Sequence, residues 1–417
     1  MNVNQGTESV EAGIEHEYAA SPKTRHMAGS TTDQHSRQTA AAQNWDATFM
    51  KVEPLDDQNL AKWDEFAERS PDAWFWHTSH WMSYTRAYAG KSFQRNLSFW
   101  VTRGGARLAI VPCFLEVGPA VLSLYHDDVD GTDRPRLTYA GVPLPAPALV
   151  GDLTAQGRWE VLEFVIGHLK HLAANHCVET FQLISPALAP GFLGSSLPLA
   201  NPYARYGALD ISRATQIIDL RNDTSKLWTA VRHGHQYDIR RGERYLTVKI
   251  WHGNELPSSI FEEYRALHAK DAGRVTRSEE TFLMMREWIY RGEGALVQVM
   301  NGDKSVGFIL LIVYGKGAFY ASGCRDPDDI KLPVFHVAQW QLIQWLKQHD
   351  VWFYDIGVQQ FSRQWYDNPS AKHMNISKFK RGFGGTTVPL HVSEFHLTEA
   401  GLRTAITYRL EKTYGPI

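Results

Sequence analysis

Cysteine is scarce in these 417 residues: Cys113, Cys177 and Cys324 are the only three, and they lie far apart. That spacing supports neither a disulfide framework nor a zinc-ligand pattern, and it fits a reducing compartment. Long apolar runs are missing as well. The longest, Phe308-Ile-Leu-Leu-Ile-Val313, falls far short of the roughly 20 residues a spanning helix needs, and the first residues hold no apolar signal core. The expectation is a cytoplasmic protein, neither secreted nor stably attached to a membrane. An excess of either charge is also absent, since 43 Lys and Arg face 45 Asp and Glu, for a formal net charge of -2. Bulk attraction to nucleic acid is thereby excluded, and any polyanionic partner must be met by a local patch.

What the chain does have is apolar residues (43%) and aromatic residues (12%) enough for well-filled cores, and a length that favours two domains. Residues 1–45 are rich in Ser, Thr, Gln, Ala, His and Gly and read as a disordered leader, because they bury too little to offset ordering entropy. Helices are predicted at 60–69 and from 74–81 onward, the second capped by Thr78 or Ser79. Strands are predicted at 99–102 and 107–114 around Gly104-Gly105, then at 122–125, 137–139 and 180–184, with a helix at 158–173 before the last. The second half repeats the order. A strand at 215–220 leads into one long helix, 224–245, and two more helices at 259–272 and 278–291. A meander follows at 295–300, 306–314 and 318–323, then a helix at 334–348 with Phe335, Ala338, Leu342, Trp345 and Leu346 on one face, and a buried strand at 352–355. A C-terminal helix covers 399–414.

Several stretches carry chemistry. Residues 375–385 pack three cations (Lys378, Lys380, Arg381), two aromatics (Phe379, Phe383) and three glycines together. The block reads either as a surface turn with solvated lysines or as a place where backbone and cations approach a phosphate before turning into a strand at 386–390. The helix at 224–245 carries Lys226, Arg232, Arg240, Arg241 and Arg244 against Asp238 and Glu243, which is either a phosphate-holding face or a solvated one. Asp355 closes a buried strand and either accepts a proton, orients an amine or caps the next turn. The loop 125–133 is the densest acidic cluster, with Asp127 and Asp128 as candidate bases or as solvated carboxylates; it lacks the position-12 glutamate of a calcium-binding EF-hand. His77, His80, His336 and the pair His233 and His235 lack ligand spacing, so no metal is expected. Trp74, Trp76 and Trp81 line a cleft or fill a core.

Helices, a three-strand meander, a helix and a strand is the order of GNAT N-acyltransferases, and the first half carries a looser version. Four segments make the likeness more specific: Gln216-Ile-Ile-Asp-Leu220 before the basic helix with Tyr237-Asp-Ile-Arg-Arg241, the meander ending in Tyr320-Ala-Ser-Gly323, Tyr354-Asp-Ile-Gly357, and Ile376-Ser-Lys-Phe-Lys-Arg-Gly-Phe-Gly-Gly385. On these the chain, from about residue 47 to its end, resembles the Fem family of aminoacyl-tRNA-dependent peptidyltransferases in its compact form. The resemblance implies an α/β (α+β) fold of two GNAT-like domains, each a mixed central sheet flanked by helices. The first is expected at 46–214 on the acceptor side, joined by 390–417, and the second at 215–389 on the donor side.

The activity implied is amide formation on an amine acceptor with aminoacyl-tRNA as donor, by a monomer without cofactor. The acceptor is a small molecule such as an antibiotic intermediate, or a peptidoglycan precursor. Such chemistry needs a site for the oxyanion's charge and a route for protons. Lys380 is assigned to the oxyanion, with Asp355 and Asp128 as further catalytic groups. Phe379, Lys378, Arg381, Arg232, Arg240, Arg241 and Arg244 are assigned to tRNA, the Phe379 ring stacking on an unpaired base for about 1 to 3 kcal/mol. Trp76, Tyr320 and Asp127 are assigned to the acceptor. Two departures matter. The glycine turn that cradles pyrophosphate in acyl-CoA users is replaced by Arg325-Asp-Pro-Asp-Asp-Ile-Lys-Leu-Pro-Val-Phe335, so CoA is not expected. The first half's cations (Arg86, Lys91, Arg95, Arg103, Arg107, Arg134, Arg136) show no diphosphate-binding arrangement. An acyl-CoA-dependent transferase is the second reading and a non-catalytic RNA-binding module the third.

Overall fold

Three strands whose apolar residues run almost unbroken, Gly294–Asn301, Lys304–Tyr314 and Gly317–Arg325, pair antiparallel as a meander in the computed structural model of the protein. The structure describes residues 49–118, 134–193, 200–363 and 367–415; the expected leader at 1–45, the strand expected at 122–125, and Asp127 and Asp128 lie outside them. The middle strand is buried along nearly its whole length, as a strand covered on both faces must be. Helices Ser258–Ala272 and Glu279–Tyr290 cover one face, and Val334–Gln348 covers the other.

The meander belongs to a seven-stranded sheet in the order Leu246–His252, Gly294–Asn301, Lys304–Tyr314, Gly317–Arg325, Phe353–Gln359, Arg213–Asp219, Thr386–Leu390. Neighbours are antiparallel except Gly317–Arg325 and Phe353–Gln359, which are parallel because Val334–Gln348 crosses between them. Among the described residues the chain's first half, joined by strand Val392–His396, holds three smaller sheets. The strand expected at 107–114 is two strands, Ala106–Val111 and Phe114–Val117, in different sheets. Pro112, with no amide hydrogen, cannot continue the ladder, and Cys113 turns its amide to Ser98 Oγ (2.9 Å) instead. The strand expected at 137–139 stops at Leu137.

The basic helix expected over 224–245 is also broken, into Thr224–Ala230 and His233–Gly242. Arg232 is extended (φ -57, ψ 139) because its amide leaves the helix to bond the Gly382 carbonyl at 2.9 Å. A tertiary hydrogen bond outweighs helix propensity here. Thr78 caps Ser79–Ala89, its Oγ1 accepting from Trp81 N at 3.3 Å.

Ala47–Ile417 form one compact unit, and the reason is a shared core. Trp74, Phe75 and Tyr84 from the first half pack with Phe261, Trp288 and Phe308 from the second, Phe75 meeting Trp288 edge-on at 5.2 Å. The chain's end returns to the first half. Val392–His396 pairs antiparallel with Thr180–Ile184, and Phe395 stacks on Phe181 at 4.9 Å. Among the described residues no helix is long and apolar enough to cross a membrane.

Buried Glu394 ties this returning strand to the last helix, Glu399–Tyr414, accepting from Arg409 and Gln182 (2.6 and 2.7 Å) and pairing with His396 (2.7 Å). Burial opposes its charge, but bonds from His396, Arg409 and Gln182 outweigh that and hold the carboxyl down at about 2. A lowered folded value stabilises above the unfolded pKa of 4.5, and that stabilisation is lost as pH falls from there toward about 2. Glu394→Gln, which leaves Arg409 facing a neutral group, is expected to cost about 3 kcal/mol at neutral pH and to flatten the acid limb of a denaturation-against-pH curve.

Candidate active site

The parallel pairing of Gly317–Arg325 with Phe353–Gln359 lasts three residues, Gly317↔Phe353, Ala318↔Tyr354 and Phe319↔Asp355. Both strands continue beyond it unpaired with each other, so they part and open a wedge at their C-terminal ends. Tyr320 is the first residue beyond the last pair and Asp355 belongs to that pair. The expected strand end at Asp355 is therefore corrected: the strand runs on to Gln359, with a register shift on its other neighbour between Gln216 and Ile217.

Into this wedge comes Lys380. The block at 376–385 is not a glycine turn throughout. Helix Ala371–Arg381, capped by Ser370 Oγ accepting from His373 N at 3.3 Å, runs through it, and the glycines follow its end. Lys380 in the last turn carries its Nζ to 5.5 Å from the Tyr320 ring centroid and against Gly357. That residue has φ +110, and a Cβ there would collide with the ammonium, so glycine is required twice over. No described residue accepts a hydrogen bond from Nζ at normal geometry, which leaves the ammonium for a ligand. Burial lowers its pKa to about 8, while Asp355 opposes the shift; below that pH it is a cation poorly served by solvent.

Asp355 is buried. Its Oδ1 accepts from Thr215 Oγ1 (2.5 Å) and from Gly357 N (2.8 Å), so it caps the turn of its own strand two residues on. Burial raises its carboxyl to about 6 against the pull of Thr215, Gly357 and Lys380. At neutral pH the two groups form an anion and a cation at the mouth of the wedge.

Three contacts hold the lysine helix in place. Arg381 Nη1 donates to Gln359 Oε1 (2.9 Å) and its guanidinium lies 4.4 Å from the Phe361 ring. Gln216 Nε2 donates to the Gly384 carbonyl (2.6 Å). His235, at the start of the basic helix, reaches the Phe379 carbonyl through Nε2 (2.9 Å), while its Nδ1 faces Arg232 Nη2 at 3.1 Å. A guanidinium only donates, so Nδ1 accepts and the Nε2 proton goes to Phe379. Burial lowers the His235 pKa, consistent with this neutral form. The ring lies so close to Gly382 that a Cβ there would overlap it.

The other expected site residues are distributed as follows. Phe379 packs against His336, His235 and Phe383 at 5.0, 5.1 and 5.3 Å, so its ring is engaged within the protein. Lys378 is exposed. Arg240, Arg241 and, in the turn after the helix, Arg244 line a surface depression with His233, Gln236 and the exposed Tyr237; Arg241 is paired with Asp238 (3.1 Å), and Arg232, itself exposed, donates to His235 (3.1 Å). Trp76 is 5.3 Å from Phe319 and 4.4 Å from Trp81. Since alternate strand residues point to opposite faces, it lies across the sheet from Tyr320. Thr215, Gln216 and His235 were missed as site residues. The histidine stood in plain view, but a search for metal ligands could not find a carbonyl partner 144 residues away.

No family model matches the chain, and no curated protein does. Solved structures do. FemX is 12% identical and covers 85% of this chain and 99% of its own, with a TM-score of 0.57. The structure titled L-PGS from Bacillus licheniformis is 14% identical over 88% and 99%, TM-score 0.50. The C-terminal domain of a putative lysylphosphatidylglycerol synthetase from Agrobacterium fabrum is 12% identical over 85% and 96%, TM-score 0.51. The likeness shows the fold. It is the expected α/β fold of two GNAT-like domains, found across nearly the whole length of these neighbours.

Two outcomes test the wedge. Competitive amine labelling read by mass spectrometry is expected to give Lys380 an apparent pKa near 8, and Gly357→Ala to shift it toward the ordinary lysine value as the ammonium is expelled. The same substitution places a side chain at φ +110 and should cost about 1 to 3 kcal/mol in chemical denaturation. Separately, His235→Leu removes one of the two donors to the Phe379 carbonyl, the other being Gly382 N at 2.9 Å, and should destabilise by about 0.5 to 1.5 kcal/mol, with His235→Gln recovering part of the loss.

Proposed function

We propose that the protein transfers an aminoacyl group from aminoacyl-tRNA to an amine, forming an amide. The observation that carries this reading is the half-buried ammonium of Lys380, set beside Asp355 and Tyr320 where two strands part. In the scheme the acceptor amine attacks the ester carbonyl carbon, and the resulting oxyanion lies against Lys380, whose charge is worth more in this desolvated place than in water. The carbon–oxygen bond to the ribose then breaks, the ribose oxygen takes a proton, and the amine gives one up. Asp355 keeps Lys380 charged and placed. Asp128 or Asp127 of the acidic loop is the base in this scheme.

Exposed Arg240 and Arg244, on and just after His233–Gly242, are the natural hold for RNA phosphates, read through backbone charge and not through bases. Arg381 and Arg232 serve it indirectly, by fixing the lysine helix. The Fem resemblance and the fold shared with FemX and the lysylphosphatidylglycerol synthetase structures support an aminoacyl donor. A small molecule or a peptidoglycan precursor is the acceptor.

Acyl-CoA is disfavoured on structural grounds. The N-terminus of Val334–Gln348, where a pyrophosphate would sit, is covered: Pro333 and Val337 press against Gly242 of the basic helix. The loop before it is acidic, with Asp326, Asp328 and Asp329 paired to Lys270 and Lys304.

Labelled amino acid from charged tRNA is expected to appear on an amine acceptor, and ribonuclease to abolish the transfer; ribonuclease-resistant transfer from a thioester would favour CoA instead. Lys380→Met should keep its fold by circular dichroism and lose turnover on the order of a hundredfold or more, whereas full activity would reject the assignment. The rate should be bell-shaped in pH. It falls below about 6 as Asp355 takes up a proton, and above about 8 as Lys380 loses one.

A further inference from the structure

Three described lysines are partly withdrawn from solvent: Lys170, Lys347 and Lys380. The first two are occupied. Lys170 Nζ donates to the Tyr206 carbonyl at 3.2 Å, and Lys347 Nζ donates to the Leu220 carbonyl at 3.0 Å. Among the exposed lysines, Lys270, Lys304 and Lys316 are tied to carboxylates. Lys380 differs from all of these, being half-buried with no described acceptor for its Nζ. Around it stand a ring face, Tyr320 at 5.5 Å, the bare backbone of Gly357, and the field of one carboxylate, Asp355. The next cation on its own helix, Arg381, is turned to Gln359 and Phe361.

An amine in this position has two states with opposite uses. Charged, it stabilises an oxyanion. Neutral, it exposes a lone pair that no neighbour engages, and a desolvated lysine in that state is a nucleophile. We propose that Lys380 is also an acylation site of the protein itself, taking the acyl group of a reactive ester that enters the wedge when no acceptor amine is there. Nζ attacks the ester carbonyl carbon, a carbon–nitrogen bond forms, and the carbon–oxygen bond to the leaving alcohol breaks. Asp355 takes the proton that Nζ sheds and passes it to the leaving oxygen, so an amine and an ester become an amide and an alcohol. The amide nitrogen carries no charge to offer an oxyanion. On the transferase reading the modified chain is therefore inactive, and the acceptor amine protects the protein by taking the acyl group first. The step itself needs no RNA.

The size of the effect follows from the balance of two terms. With its pKa at about 8, Lys380 is about one tenth neutral at pH 7, against roughly four parts in ten thousand for an ordinary lysine near 10.4. Lower basicity cancels about tenfold of this advantage, taking the Brønsted slope of about 0.4 to 0.5 known for thiolates. A preference on the order of tenfold remains.

The test treats the full chain with p-nitrophenyl acetate between about pH 6 and 9, without RNA or acceptor, and reads acetylation at each lysine by peptide mass spectrometry. Exposed Lys372 and Lys378 of the same helix are the references. Lys380 is expected to acetylate on the order of tenfold faster than either at pH 7, with a rate that levels off above about pH 8. In the intact mass this gives one fast equivalent, which Lys380→Arg should abolish while leaving the slow ones. Gly357→Ala, which expels the amine, should bring Lys380 down to the references; should that variant not fold, the comparison of lysines within the unaltered chain stands without it. Acetylation of Lys380 no faster than that of Lys372 and Lys378, a rate still climbing at pH 9, or a fast equivalent that survives in Lys380→Arg would each overturn the proposal. The two readings fail separately. Fast acetylation at Lys380 in a protein that takes no group from charged tRNA rejects the donor assignment alone, and tRNA-dependent transfer by a chain whose Lys380 reacts no faster than the references rejects this proposal alone.

Discussion

A positive charge enclosed where two parallel strands part is the constraint around which the second half of this protein is arranged. An ammonium drawn out of water is destabilised by several kcal/mol unless neighbours restore part of its hydration. Here the restoration is partial, from the face of Tyr320 and the field of Asp355. Asp355 in turn is kept ionised by Thr215 and by the amide of Gly357. The same glycine clears the space that Nζ occupies. Each of these residues is therefore placed by the others.

Holding a lysine there requires that its helix not drift, and the holding groups come from elsewhere in the chain. Gln359 takes Arg381, Gln216 takes the glycine turn, and His235 takes the Phe379 carbonyl. The last of these belongs to the helix that carries Arg240 and Arg241, with Arg244 in the turn after it. A phosphate-bearing ligand on that surface would rest on the element that positions Lys380, so binding and chemistry share one mechanical support. On the sheet's other face the aromatic core of Trp74, Phe75, Trp288 and Phe308 locks the two halves together, and it places Tyr84 of the first half against Arg277 of the second.

Much of this was legible in the residues themselves. Helices Leu60–Arg69, Val334–Gln348 and Glu399–Tyr414 and strand Thr180–Ile184 fall where the residue pattern puts them, because a local apolar pattern is enough to define them. The blocks Tyr354-Asp-Ile-Gly357 and Phe379-Lys380 stood out in the sequence, and the structure brings Asp355, Gly357 and Lys380 together. The breaks were less so. Pro112 interrupts a strand whose flanking residues are apolar and β-favouring, and the basic helix breaks at Arg232 for the sake of a carbonyl on Gly382. Phe379 looked like a free aromatic shelf, yet two histidines and Phe383 enclose it.

By itself, then, the order of residues determined where most helices and strands lie, that two α/β halves follow one another, and that a cation, an aspartate and glycines stand close together near the end. Those properties are set by side chains within a few positions of one another. Only the tertiary structure decided that Lys380, Tyr320, Asp355 and Gly357 converge, that Trp76 lies across the sheet from them, and that His235 and Arg277 have the partners they have. Pairing register and strand divergence depend on contacts tens to hundreds of residues apart, and their energies arise when distant groups lose water together.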